Sequence, residues 1–253
     1  MPEFAKRNIT YMYDGTFDGF LCCVFESFTH KEIPEDILSA KDPAQGLFEK
    51  YEIPTNLQKA KRVKKSIPAK MGNEAFDFLE KAFLSCLEHK EAHMLDFMRL
   101  GYKAGPKVFN MLANNTVLTL TKAVKQTARE AQKFMGFVRF SAHGDLLISK
   151  IQPKNFVLSL LAEHFVFRLP NEKFVIYDET HKSVCAYAKG RYVISDASEA
   201  EFPAPDDTEQ RYRDLWKMFY DTIAVEGREN PKCRMTLMPK RYWKNLTEMQ
   251  RKN

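Results

Sequence analysis

Phe137-Val-Arg-Phe140, His143-Gly144-Asp145 and Leu146-Leu-Ile-Ser-Lys-Ile151 mark the place where the chain changes period. Upstream, apolar residues recur at helical spacing. From Gly136 they crowd into short β-prone runs around a Gly-containing turn, which predicts a hairpin. Pro153 fits the first turn of a following helix that carries Phe156, Leu160 and Leu161, because the missing N–H costs nothing there. Phe174-Val-Ile-Tyr177 and the run Ser183 to Ile194 supply further strands. The order β-β-α-β-β predicts a small, mostly antiparallel sheet with a helix on one face.

Working back from that sheet, Val117, Leu120, Val124, Ala131 and Phe134 trace a helix up to Gly136. Met94, Leu95 and Met98 trace another that stops at Gly101, and Phe76, Leu79, Phe83 and Leu87 a third after the cap Asn73. Leu57, Ala60 and Val63 sit in a basic helix. Glu32 to Pro54 carries Pro34, Pro43 and Pro54 and reads as turns with one short strand near Leu47 to Ile53. At the start, Ile9-Thr-Tyr-Met-Tyr13 alternates as a strand, Asp14-Gly15 turns, and Thr16 caps a helix of Phe17, Phe20, Leu21, Val24, Phe25 and Phe28. Gly15 alone lacks the GxGxxG spacing of a nucleotide loop. Beyond the sheet, the acidic loop Glu201 to Asp207 leads to a helix with Leu215, Trp216, Phe219, Tyr220 and Ile223.

The expected fold class is therefore α+β: an N-terminal β-turn-α unit, central helices, and a C-terminal sheet packed with helices. A boundary near residue 84 separates residues 1–84, with the basic helix, from an α+β domain at 85–253, a single continuous core being the alternative.

Of 253 residues, 44% are hydrophobic and 28% charged, so the chain has the apolar content to fold. No run of ~20 apolar residues is present, and Met1 to Tyr13 has no signal-peptide core, so a cytoplasmic protein without a membrane partner is expected. Five cysteines form no CxxC pair, which fits reduced thiols and argues against structural zinc or an iron–sulfur cluster. No cofactor is expected. The net charge of +6 is modest, but its distribution is uneven. Ile53 to Asn73 has no acid and holds Lys59, Lys61, Arg62, Lys64, Lys65 and Lys70. Asn230 to Thr247 has none either, with Lys232, Arg234, Lys240, Arg241 and Lys244, while Asp196 to Asp214 between them is acidic.

Two sets of residues carry candidate chemistry. His143, Asp145, His164, Asp178, Glu179 and His181 lie at predicted strand ends; imidazole titrates near neutrality and carboxylates bind hard cations, so metal ligation or proton transfer is open to them. Turn formation is the competing reading of His143 and Asp145. For nucleic acid, the candidates are Lys61, Arg62, Lys64 and Lys65, together with Arg139 and the tail Lys240-Arg241-Tyr242-Trp243-Lys244, which interleaves cations with aromatics as phosphate-neutralising, base-stacking surfaces do. Arg139 has a structural alternative in a pair with Glu130.

Tyr11-Met-Tyr-Asp-Gly-Thr-Phe-Asp-Gly-Phe-Leu21, Glu130-Ala-Gln-Lys-Phe-Met-Gly-Phe-Val-Arg-Phe140 and Arg241-Tyr-Trp-Lys-Asn-Leu246 resemble a bacterial family described as probable DNA metabolism proteins. Ile151-Gln-Pro153, His164-Phe165, Ile176-Tyr-Asp-Glu179 and Ile223-Ala-Val-Glu-Gly-Arg228 fit its spacing. The resemblance implies a DNA context. Members are typically encoded beside a radical S-adenosylmethionine protein proposed to act in DNA repair or modification, and some are fused to a uracil-DNA glycosylase-like domain. No active-site pattern carries over. The chain has no CxxxCxxC cluster motif, so radical or base-excision chemistry is expected of a partner. The leading expectation is a DNA-binding accessory protein. A metal-dependent hydrolase or nucleobase-processing enzyme requires three of the His and Asp residues to converge, and a protein-only adaptor requires a large apolar surface patch.

Overall fold

A computed structural model describes residues 4–40, 48–198, 202–223 and 230–250. Pro43, Leu47, Glu201 and the 224–228 part of the last motif lie outside the described residues. The chain divides into two compact units, Met1–Ala128 and Arg129–Asn253. The boundary expected near residue 84 lies within the first unit, between its third and fourth helices.

In the first unit, β1 (Ala5–Tyr13), α1 (Phe17–His30), β2 (Glu32–Ser39) and β3 (Glu49–Glu52) build a parallel sheet of order β2-β1-β3. The expected β-turn-α start is present. Thr16 accepts from the Gly19 N–H, and Asp14 accepts from the Thr16 N–H, Thr16 Oγ1 and Thr55 Oγ1 at 2.9, 2.7 and 2.7 Å. Gly15 has φ +81°, and a Cβ there would lie 2.6 Å from Ser39 Oγ. Residues 32–39, expected as turns because of Pro34, form a strand. Proline is tolerated there because β2 is an edge strand, and the β1–β2 register slips between Arg7 and Thr10, just past the Arg7–Pro34 pair.

Three helices, α2 (Leu57–Met71), α3 (Glu74–Phe83) and α4 (Lys90–Ala104), complete this unit with the first part of α5 (Asn115–Phe137), whose residues from Arg129 belong to the second unit. Tyr11, Phe20, Ile37, Met71, Phe97 and Met98 are fully buried among their neighbours, and each such side chain contributes about 1.5–3 kcal/mol. Gly101 does not end α4, which runs on to Ala104. Its role is close approach: a Cβ there would lie 2.2 Å from Met71 Cε.

The second unit holds β4 (Ser141–His143), β5 (Leu146–Ile151), α6 (Leu158–Arg168), β6 (Lys173–Asp178), β7 (Ser183–Ala188) and β8 (Arg191–Asp196). Strand order is β4-β5-β6-β7-β8, antiparallel throughout except for β5–β6, which α6 connects as a parallel pair needs. The fold is the expected α+β class with a mostly antiparallel C-terminal sheet. Two details differ. The strand expected at 137–140 starts later, at Ser141, because α5 continues through Phe137 and Phe140 turns inward onto Phe165 and Phe174. Ser183 to Ile194 is two strands joined at Lys189 and Gly190, both with positive φ.

Leu158, Leu161, Ala162 and Phe165 of α6 pack on Phe174, Ile176, Cys185 and Tyr187 of the sheet. After the sheet come α7 (Asp207–Thr222), α8 (Pro231–Leu237) and two 3-10 turns, Lys240–Asn245 and Thr247–Met249.

Candidate functional site

The basic helix α2 begins at Asn56, whose side chain accepts from the Gln58 and Lys59 N–H groups, and buries Ala60, Val63, Ile67 and Met71. That spacing turns the lysines and arginine outward. The structure then sorts them. Lys59 pairs with Glu26 at 2.5 Å and Lys64 with Asp18 at 2.6 Å, both acids on α1. Lys61, Arg62 and Lys65 are exposed and have no carboxylate partner among the described residues, although Arg62 lies over the Phe25 ring at 5.2 Å. Three of the four candidate cations on α2 are thus available to an external anion, and Lys64 is already neutralised.

The His and Asp candidates do not converge. Asp178 is buried at the end of β6, accepts from the Thr180 and His181 N–H groups at 2.9 and 3.1 Å, and meets His181 Nδ1 at 2.6 Å. His181 also stacks on Phe156 with ring centroids 3.8 Å apart. Asp145 binds Lys173, which holds its carboxyl below the ordinary range. His164 sits edge-on to its neighbour Phe165 on α6. Among the described residues, no group of three His, Cys, Asp or Glu side chains is arranged to hold a metal ion. What forms is one Asp–His pair that fastens the β6–β7 turn.

The tail and the end of α5 lock together through two ion pairs. Glu130, 3% exposed, meets Arg241 Nη2 at 2.7 Å and accepts from the Lys154 and Asn155 N–H groups. Glu248 is gripped by Arg139 through Nη2 at 2.7 Å and Nε at 3.3 Å, and Trp216 Nε1 donates to it at 3.1 Å. Burial pushes the Glu248 carboxyl up, but the hydrogen bonds from Arg139, backbone and Trp216 prevail and hold it below its usual value. Arg139 is thus a structural clamp, with Glu248 in the place expected for Glu130. Tyr242 offers no stacking face: it is a core residue seated against Phe134 and Phe137. Trp243 donates to the Met238 carbonyl at 2.9 Å, Lys240 lies 6.0 Å from its ring, and Lys244 reaches Glu179 at 3.4 Å.

The sheet register places Ser141, His143, Ile148 and Lys150 on one face of the β4–β5 ladder, while Ser149 pairs with Ile176 on the α6 side. On the first face, the 202–205 loop, α7 and the tail border a half-open cavity of about 230 Å³. Arg139, Lys150, Arg213 and His143 line it, with no carboxylate among the described lining residues. Arg213 is held by Glu209 at 2.9 Å and also donates to Ser141, leaving Nη1 without a hydrogen-bond partner among the described residues. Lys150 has no carboxylate partner there either and lies 5.1 Å from the centre of the Phe202 ring. Sequence reading missed Lys150 and Arg213. Strand alternation carried the signal for Lys150, and the Glu209–Arg213 spacing that for Arg213.

Helix α7 is amphipathic, yet its apolar stripe of Tyr212, Leu215, Trp216, Phe219 and Ile223 is largely exposed, Phe219 to 52%.

Residues 88–248 match the DUF4130 domain of unknown function. The chain belongs to that family. No curated protein matches it. The DUF4130 segment contains both ion-pair clamps and every residue of the cavity lining except Gln250, while α2 precedes it.

Proposed function

We propose that this DUF4130 protein is a DNA-binding accessory factor in DNA repair or modification, working beside a radical S-adenosylmethionine protein that performs the chemistry. The observation that carries the reading is the face of α2, where Lys61, Arg62 and Lys65 project without carboxylate partners among the described residues, on a helix whose other side is fixed in a core. Such a row neutralises phosphates and releases their counterions. The scattered His and Asp side chains favour this over a metal-dependent hydrolase. Genomic neighbourhood and fusion to glycosylase-like domains, implied by the resemblance, supply the repair context.

The test is duplex and single-strand binding across a salt series. Three phosphate contacts give a duplex slope of about −2.7, so affinity falls ~40-fold between 50 and 200 mM salt. Lys61→Gln/Arg62→Gln/Lys65→Gln abolishes that slope, whereas Lys64→Gln barely alters it because Asp18 already neutralises Lys64. Binding that ignores salt, or a triple variant that binds as the parent does, refutes the assignment.

The exposed stripe on α7 favours a second reading, a protein-only adaptor. It predicts that the purified radical protein binds the chain, that Leu215→Glu/Phe219→Glu abolishes this, and that DNA is not bound at any salt.

A further inference from the structure

We infer that the cavity of the second unit is a binding site for the phosphate group of a single nucleotide. Unlike the α2 face, this site is concave and lies in the other unit, and the inference does not depend on α2 binding DNA. The uncommitted cations of its lining are what anion recognition requires. Arg139 frames the wall without reaching a ligand, its Nε and Nη2 held by Glu248 and its Nη1 by the Gly136 and Val138 carbonyls, whereas Arg213 is held from behind by Glu209 on one side only, which fixes its planar fork before any ligand arrives. Arg213 Nη1 remains uncommitted, and Lys150 supplies a positive charge that no carboxylate among the described residues offsets. His143 shares the same strand face.

Size and wall chemistry narrow the ligand. About 230 Å³ is less than the ~300–1,000 Å³ of drug-sized sites. A dinucleotide cofactor is too large. A bare phosphate leaves much of the space unused, and Phe202, Pro203 and Pro205 give it an apolar wall suited to a sugar or base edge. The phosphate of one nucleoside phosphate meets the cations while an edge of its sugar or base rests on that wall and the remainder projects through the open side. Free nucleotides and the phosphorylated end of a strand present the same group.

Calorimetric titration of the full chain with dTMP, dAMP and inorganic phosphate tests this, with circular dichroism to confirm that each variant is folded. Saturable nucleotide binding is expected, tighter than for inorganic phosphate and weakened about tenfold or more by Lys150→Gln, an exposed position whose change leaves the core intact. Competition by a 5′-phosphorylated oligonucleotide, but not its unphosphorylated twin, assigns the site to strand ends. Competition by neither assigns it to free nucleotides. The absence of nucleotide binding at ~10 mM, binding unchanged in Lys150→Gln, or inorganic phosphate matching the nucleotide overturns the inference. The α2 variants fail or succeed separately, because Lys61→Gln/Arg62→Gln/Lys65→Gln leaves nucleotide titration unchanged even if DNA binding is lost.

Discussion

Replacing Glu130 by alanine removes a buried acceptor on which four groups depend, the Lys154 and Asn155 N–H groups, the Asn155 side-chain amide and Arg241, and through them the chain path after Pro153. Each buried N–H left without a partner costs about 1–3 kcal/mol. Breaking a fully buried ion pair costs about 3–5 kcal/mol, but Arg241 is 39% exposed and water recovers much of that loss. At the low end, ~1 kcal/mol for each of the three N–H donors, one of them only part-buried, and ~1–2 kcal/mol for the part-exposed ion pair, the sum is ~4–5 kcal/mol. For a unit of this size it corresponds to a fall of roughly 10–20 °C in Tm. Urea and thermal unfolding followed by circular dichroism read it. Glu130→Gln, which keeps one acceptor, should lose less, and Arg241→Met least, since Glu130 retains its three N–H donors. A Glu130→Ala loss below ~1 kcal/mol refutes the reasoning, and Arg241→Met as the most damaging change shows that the ion pair outweighs the loop anchoring.

Other perturbations test other parts of the structure. The depressed Glu248 carboxyl stabilises the fold above its unfolded value near pH ~4.3, and that contribution disappears as pH falls through the lower folded value. Glu248→Gln therefore flattens the acid side of the stability–pH curve measured by urea unfolding; an unchanged acid limb refutes the clamp. Cys86 and Cys233 are exposed and the other three thiols buried, with burial pushing Cys185 up to about 11, so two of five thiols react promptly with a colourimetric reagent and the rest react after denaturation. Prompt reaction of all five contradicts the packing. Ser149 Oγ is buried without a hydrogen-bond partner among the described residues, so Ser149→Ala costs nothing or stabilises by up to ~1 kcal/mol in urea melts. A clear loss of stability identifies an unseen partner for that hydroxyl.

Local patterns revealed much of the fold. The β-turn-α start follows from alternation, Asp14-Gly15 and the Thr16 cap, and α2 from its buried i, i+3/i+4 positions. Residues 32–39 were illegible because Pro34 signals a turn unless its strand is known to lie at a sheet edge, a tertiary fact. Gly101 misleads for the same reason, its missing Cβ serving Met71 on another helix. At the candidate sites, sequence identified the cations but not their partners. Asp18 lies 46 residues before Lys64 and Glu248 109 residues after Arg139, so no local window distinguishes an uncommitted cation from a clamped one. Tyr242 and Trp243 read as a stacking surface because aromatic residues beside cations look alike whether the ring faces solvent or core.

The two ion-pair clamps impose an order on synthesis. The end of α5 is made first and its counter-ions last, with 109 residues between Arg139 and Glu248, roughly 5–20 s of elongation. Throughout that interval the seat for Tyr242 between Phe134 and Phe137 is an open apolar slot on the nascent chain. A ribosome stalled before Arg241 would present a sheet that is already paired beside a hydrophobic gap that is still unfilled, the kind of surface that chaperones hold and proteases cut.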